Sequence, residues 1–558
     1  MNMIKSQFAL ALAVFSGFCA TEAPQPDSLP AKKFIELGWD IPDTAFMRTN
    51  WSEMEKNTPF DGVMFQIKVK GDDQKVRSTQ NCWNAEAWKR EWLKPAIEDL
   101  KACGFKRMVH NFARFNATPG SLDWADDAGW AALSEKAGFC AWAVKQGGGR
   151  GLAPDWESYG EKQFRYNPAK GKTFLETASL ARKRGAQFMG AIAREFPDAV
   201  ILALWLDSIN IKAGQNDEPE AILAGGEYGL LPAFINGMLD AAPPSIVLVD
   251  GCENGYYMDS AEAYLDAANQ MRSWSGAAAR LIAPENRAKY RQQVQAGFGF
   301  YLDMFLNEEG NRYYFPPLDG SRLKRLERNL GYALAAADEY VWIYGEQSRW
   351  WGAPLNLPKT VGKGRLWEEA MPGITRAIRW IRDPIGAARA ELEELRQLNR
   401  LTNLAVNPQF SEGPVDKAKL PPGYTAWQDE KNPTGTFGWD STIGGGAAKA
   451  VRVKWGCFLQ SHPVEPGQRY AVQAECLAQG STAPNLMIRW QTPEGKWTKW
   501  HEDQTFVFKN GPGQWRTAFG VVTVPQGVGR LLILLNVNGQ LTDKDVCWFD
   551  NVALYRLP

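Results

Sequence analysis

Histidine is nearly absent: the 558 residues hold only His110, His462 and His501. Three scattered histidines argue against a zinc centre and against hydrolases that set a histidine beside a serine or cysteine nucleophile. No CxxC and no Cys/His cluster with metal-ligand spacing occurs, so neither a metal nor a cofactor is expected in catalysis. Net charge is also lacking, with 63 basic against 63 acidic residues. That balance gives no electrostatic case for nucleic acid or an anionic membrane surface. No apolar stretch is long enough to span a bilayer. The glycine-rich loop that follows the first strand of a dinucleotide-binding open sheet is missing after Asp40.

What is present begins with an export signal. Lys5 supplies a positive start and Phe8 to Phe18 a short apolar core, so residues 1–23 read as a signal peptide. The protein is expected to be secreted or periplasmic and monomeric. The alternative is a lipoprotein anchored at Cys19, against which the bulky Phe18 speaks. Seven further cysteines leave at least one thiol unpaired. The chain is rich in flat apolar faces, with 24 Trp, 27 Phe and 16 Tyr. Such faces build cores, and they also stack on sugar rings.

From Phe34 a rhythm sets in. Apolar runs at 34–40, 61–69, 107–114, 151–157, 199–207, 245–253, 296–303 and 339–346 alternate with stretches of helical spacing. Eight strand–helix alternations predict a (β/α)8 barrel over 33–384, with a charged helical linker over 385–402. From 403 to 558 short alternating segments between Gly/Pro turns predict an all-β jelly-roll sandwich. The barrel runs end in polar or aromatic residues: Trp39 and Asp40, His110 and Asn111, Asp155 and Glu157, Trp205 and Asp207, Asp250 and Glu253, Asp303, and Glu346. In a barrel such ends converge on one face, where chemistry is done.

Two resemblances follow. Asn407-Pro-Gln-Phe410, Val464-Glu-Pro-Gly-Gln-Arg-Tyr470 and Trp548-Phe-Asp-Asn-Val-Ala-Leu-Tyr555 resemble jelly-roll carbohydrate-binding modules. That resemblance implies a structural calcium and sugar stacking on exposed aromatics, for which Trp427, Trp439, Trp455, Trp490, Trp497 and Trp500 are candidates. The barrel resembles secreted bacterial glycoside hydrolases. Asp155-Trp-Glu157 is similar to the Asp-x-Glu closing strand four of chitinase and hexosaminidase barrels, where the Glu is general acid and the Asp orients an N-acetyl group. The two earlier acids of that motif are replaced by Arg150 and Ala153.

These readings converge on a secreted glycosidase acting on a poly- or oligosaccharide. Glycosidic cleavage needs two carboxylates, one held protonated. Glu157 is the expected general acid, desolvated by Trp156 and Tyr159. Its partner is Asp155 if the substrate assists, or Glu253 or Glu346 if the chemistry is direct. Substrate contacts are expected from Trp39, Asp40, His110, Asn111, Arg114, Tyr159, Trp205, Asp207, Asp250, Asp303, Trp342 and Trp350. The competing readings are a glycan-binding protein without catalysis and another carbohydrate-active enzyme such as a lyase.

Overall fold

The structure is a computed structural model that describes residues 32–120, 122–352, 364–415, 420–429, 431, 433–509 and 514–558. The signal peptide and Cys19 lie outside the described residues. Contacts group the chain into two compact units: one runs to Pro316 and adds Gly331–Leu366, and the other joins Pro317–Leu330 to Trp367–Pro558.

The first unit is a parallel α/β barrel. Its strands are β1 (Lys33–Gly38), β2 (Gly62–Phe65), β3 (Phe112–Asn116), β4 (Gly151–Asp155), β5 (Val200–Ala203), β6 (Val247–Asp250), β7 (Val294–Ala296 and Phe298–Tyr301) and β8 (Tyr340–Gly345). Each pairs in parallel with the next, and β8 pairs with β1 from Lys33↔Tyr340 to Gly38↔Gly345. The two pieces of β7 stand at opposite ends of the sheet order, so a strand broken at Gly297 brings the ends together into a nearly closed barrel. The strands are buried on both faces, which is why they read as continuous apolar runs.

The helices around the barrel start and stop on local signals. Helix α1 (Thr44–Asn57) is capped by Asp43, whose carboxylate accepts from the amide of Phe46. Helix α2 (Asp127–Gln146) is capped by Asp126. Helix α3 (Phe174–Glu195) opens on a capping box of Thr173 and Glu176. It lies tightly on α4 (Leu231–Ala241): a Cβ at Gly185 would stand 1.9 Å from the carbonyl oxygen of Phe234. Between barrel and helices sits an aromatic cluster in which Trp83 meets Trp130 and Trp156 edge-on at 5.9 and 6.1 Å. Phe164, Phe188 and Phe234 complete it.

The second unit holds two five-stranded antiparallel sheets. In chain order the strands are β9 (Thr425–Gln428), β10 (Thr436–Asp440), β11 (Ala447–Val451), β12 (Trp455–Pro463), β13 (Arg469–Gln479), β14 (Asn485–Gln491), β15 (Gln504–Val507), β16 (Arg516–Thr523), β17 (Arg530–Asn538) and β18 (Val546–Arg556). One sheet runs β9-β12-β17-β14-β15 and the other β10-β11-β18-β13-β16. Alternate residues such as Phe458, Val472, Ile488, Trp490, Ile533 and Phe549 fill the core between them. Cys476 and Cys547 lie there with sulfurs 3.2 Å apart, and the seven described cysteines are free thiols.

Helices α5 (Ile374–Arg382) and α6 (Pro384–Gln397) also belong to this unit. The sequence reads 385–402 as a solvated connector. Ala388 and Leu392 are instead buried with Trp380, Ala471 and Leu557, because α6 turns an apolar stripe to the sheet and keeps only its charged face outside.

Candidate active site

A cavity of about 430 Å³ opens at the C-terminal ends of the barrel strands. Asp155, Glu157, Glu253 and Glu346 all line it, with Arg114, Tyr159 and Trp342 from the expected set. Sequence reasoning missed Tyr256, Tyr257, Tyr301, Tyr313, Tyr344, Asn307, Asn311 and Gln347. Two of these carried a signal: Tyr301 and Tyr344 each stand two residues before an expected acid, the spacing that returns a strand side chain to one face.

Each acid is held differently. Asp155 ends β4 and pairs with Arg114 of β3 at 2.5 Å, both buried. Arg114 Nε also donates to Asn116 Oδ1 at 3.0 Å, which fixes the guanidinium. Burial pushes the Asp155 carboxyl up and Arg114 pulls it back. Asp155 Oδ1 accepts from the amide of Glu157 at 3.0 Å, so the buried pair sets the turn that delivers Glu157. Tyr159 stands beside the Glu157 carboxylate.

Glu253 follows a sharp turn. Cys252 adopts φ 34°, and Glu253 opens the short 3-10 helix Glu253–Tyr257. Gly251 makes the turn fit, since a Cβ there would stand 2.7 Å from the indole nitrogen of Trp342 and 2.3 Å from the carbonyl of Ala203. That indole donates to the carbonyl of Gly251 at 2.8 Å. Burial, reinforced by the charges of Asp155 and Glu157, pushes the Glu253 carboxyl up to about 8 against the pull of Arg114.

Glu346 lies just past β8. Asp303 accepts from the amides of Glu346 and Gln347 at 2.8 and 3.1 Å and so clamps the turn. The Tyr344 hydroxyl donates to Glu346 Oε1 at 2.7 Å, and Tyr301 reaches the same carboxylate. Tyr344 in turn accepts from the indole of Trp39 at 2.6 Å. Trp39 thus touches the cavity only through Tyr344.

Several expected contacts stand elsewhere. Strand β3 begins at Phe112, so His110 and Asn111 precede it, at the end opposite the cavity. The His110 ring meets Tyr340 at the start of β8, and Asn111 bonds the amide of Val63 and the carbonyl of Met108. The apolar run 107–114 included a loop, which shifted the assumed strand end. Asp40 is fully buried beside Glu36 and accepts from the amide of Trp350 at 2.7 Å. Trp350 packs edge-on against Phe60 at 4.8 Å, away from the cavity. Asp250 accepts from Leu206 and Ser208 and holds the turn after β5. Asp207 is fully buried, and burial together with Asp250 raises its carboxyl well above the usual range. Trp205 packs against Tyr228 at 5.3 Å.

Desolvation is the largest cause of the raised carboxyl at Glu253, and the two aromatics expected to cover Glu157 lie otherwise. Trp156 is fully buried in the aromatic cluster and turns away from the cavity, because consecutive strand residues face opposite sides. Tyr159 is 71% exposed.

In the second unit Trp490 lies in the core, while Trp427 and Trp455 meet edge-on at 5.4 Å on the outer face of one sheet. Among the described residues no group of three or more His, Cys, Asp or Glu is placed to hold a metal ion.

No family model matches the chain, and no curated protein matches it. Solved structures that match include glycoside hydrolases and carbohydrate-binding modules. The enzymatically active domain of bacteriophage CBA120 tailspike protein 4 is 16% identical over 28% of this chain and 21% of that one, with a TM-score of 0.23. The CBM22-1–GH10 modules of Clostridium thermocellum endo-1,4-beta-D-xylanase 10B, complexed with xylohexaose, are 11% identical over 28% of each chain, with a TM-score of 0.20. TmCBM61 in complex with beta-1,4-galactotriose is 17% identical over 28% of this chain and 99% of that one, with a TM-score of 0.20. This chain thus spans about a quarter of the first two.

Proposed function

We propose that the barrel is a glycoside hydrolase in which Glu253 donates the proton and Glu157 is the partner carboxylate. The observation that carries this reading is the convergence of Glu157, Glu253 and Glu346 on one aromatic-lined cavity at the strand ends. Glu253 keeps its proton near neutrality and can give it to the departing glycosidic oxygen. Glu157 either attacks the anomeric carbon or takes a proton from water that does so. Asp155 and Arg114 hold Glu157 in place, and Glu346 binds substrate hydroxyls from its tyrosine-fixed position. A lyase would need a tyrosine that gives up its proton readily. Burial raises the hydroxyls of Tyr256, Tyr301 and Tyr344 instead, which disfavours that route.

The sandwich is read as a glycan-binding module, with Trp427 and Trp455 as its stacking pair. The structural calcium expected there finds no side-chain cage among the described residues. The protein is read as exported and monomeric, with no cofactor in catalysis.

The test is release of new reducing ends from a panel of polysaccharides. The wild-type chain should cleave at least one. Glu253→Gln and Glu157→Gln should each lower that turnover about 10²–10⁴-fold. Binding without cleavage across the panel would instead identify a glycan-binding protein.

A further inference from the structure

The loop leaving β4 lines two cavities. Glu157 and Tyr159 face the first, whereas Gly160 to Gln163 and Arg165 to Asn167 line a second, of about 640 Å³. Its opposite wall is Leu122 to Ala125, from the loop that follows β3.

This second cavity is preformed. Gln163 is buried and ties the walls together: Oε1 accepts from the amide of Leu122 at 2.8 Å and Nε2 donates to the same residue's carbonyl at 3.0 Å. Trp124 stacks on Trp130 at 5.0 Å, and the Tyr166 hydroxyl donates to the carbonyl of Lys172 at 2.8 Å.

Its charge is opposite to that of the first cavity. The first has four acids against Arg114. The second has Lys162, Arg165, Lys170 and Lys172 against Asp123 and Glu161. Lys170 pairs with Asp123 at 2.8 Å and Lys162 with Glu227 at 2.9 Å. Arg165 makes no close ion pair with a described residue, and Lys172 acts on Asp123 and Glu176 without pairing closely with either, in a cleft whose other two cations are closely paired. Neighbouring cavities of opposite sign suit different parts of one ligand. An anionic group is repelled from the acids and attracted here. The volume exceeds what one inorganic anion needs and lies within the roughly 300–1,000 Å³ of small-molecule sites.

We propose that this cavity is a secondary binding site for an acidic saccharide, whose carboxylate or sulfate groups dock on Arg165 and Lys172. The choice of a saccharide rests on the hydrolase reading of the neighbouring cavity. The site then selects an anionic glycan and holds it beside the loop that carries Glu157.

Calorimetry on the full chain bearing Glu253→Gln tests this, so that cleavage is slow during the titration. The probes are oligogalacturonate, chondroitin sulfate oligosaccharides and neutral cello-oligosaccharides at low salt. Oligogalacturonate offers carboxylate alone and chondroitin sulfate offers both groups, so binding of the second only marks sulfate recognition. At least one acidic probe should bind more tightly than the neutral one. Adding Arg165→Ala and Lys172→Ala should weaken that binding about tenfold and flatten its salt dependence. Both residues are exposed, and an unchanged melting temperature checks the fold. Acidic binding no tighter than neutral, unchanged binding in the triple variant, or equal affinity for a DNA oligonucleotide would each overturn the proposal. If the wild type cleaves only neutral glycans and no acidic probe binds, this proposal falls and the hydrolase reading stands. If acidic probes bind through Arg165 and Lys172 while no glycan is ever cleaved, the hydrolase reading falls and the binding site stands.

Discussion

Glu253 and Asp155 are both buried acids in one cavity, yet their surroundings separate their roles. Arg114 pairs with Asp155 at 2.5 Å, whereas Glu253 forms no ion pair with a described residue, and the charges of Asp155 and Glu157 act on it more strongly than the pull of Arg114. Its raised proton affinity carries a stability cost with a definite sign. The native state holds the Glu253 proton up to about pH 8, whereas an exposed glutamate loses it near pH 4.5. Native stability from this group is therefore complete below about pH 4.5 and falls as pH rises toward 8. Glu253→Gln removes that cost, so the variant should be more stable than wild type at pH 8, by on the order of 1–3 kcal/mol and with a higher melting temperature, and show little difference at pH 4.5. Calorimetric melts at the two pH values check this; equal melting at pH 8 would mean that the carboxyl ionises normally. Arg114→Met should act in the opposite sense. It leaves Asp155 buried without its cation, and a loss of about 3–5 kcal/mol is expected in denaturant melts.

At the scale of elements, the site depends on how strands end. Asp155, Asp250 and Asp303 each cap the backbone of a following or neighbouring turn, so one expected catalytic acid and two expected binding acids hold turns. Helix packing is as demanding. Gly185→Ala drives a methyl group into the carbonyl of Phe234, and a loss of about 1–3 kcal/mol without loss of the active-site cavity is expected. Chemical denaturation measures it, and a neutral result would show that α3 and α4 can separate.

The barrel was legible because β-strands buried on both faces give unbroken apolar runs, and the sandwich because its strands alternate. Alternation is plain at 470–477 and 486–491, which lie inside the observed β13 and β14, and the largely apolar 531–537 lies inside β17. Strand ends were less legible. Met108 and Val109 extended the third run backward and hid the Phe112 start, which put His110 and Asn111 at the wrong end. The orientation of Trp156 was readable from strand alternation, but the burial of Glu253 was not. That burial depends on the Cys252 turn and on tyrosines brought in from β7 and β8, which no local pattern reports.

At the scale of the whole molecule, the second compact unit takes in α5 and α6 together with Pro317–Leu330. A fragment starting at Trp367 keeps α5 and α6 but lacks Pro317–Leu330 and its Glu327–Arg469 pair, so it should melt cooperatively but below the second unit of the full chain. One starting at Asn403 should melt at a lower temperature, because it lacks the Ala388 and Leu392 cover over Ala471. Equal melting of the two would place α5 and α6 outside the folding unit.

The measurement that tests the central claim most directly is the pH dependence of kcat/KM on the cleaved glycan, compared with Glu253→Gln on a nitrophenyl glycoside that needs no proton. Wild type should lose activity as pH rises through about 8, where Glu253 gives up its proton. The variant should keep most of its rate of bond cleavage on the activated substrate, and its profile should lack that alkaline limb. Near-normal turnover of the glycan by Glu253→Gln, with the alkaline limb still in place, would contradict the assignment.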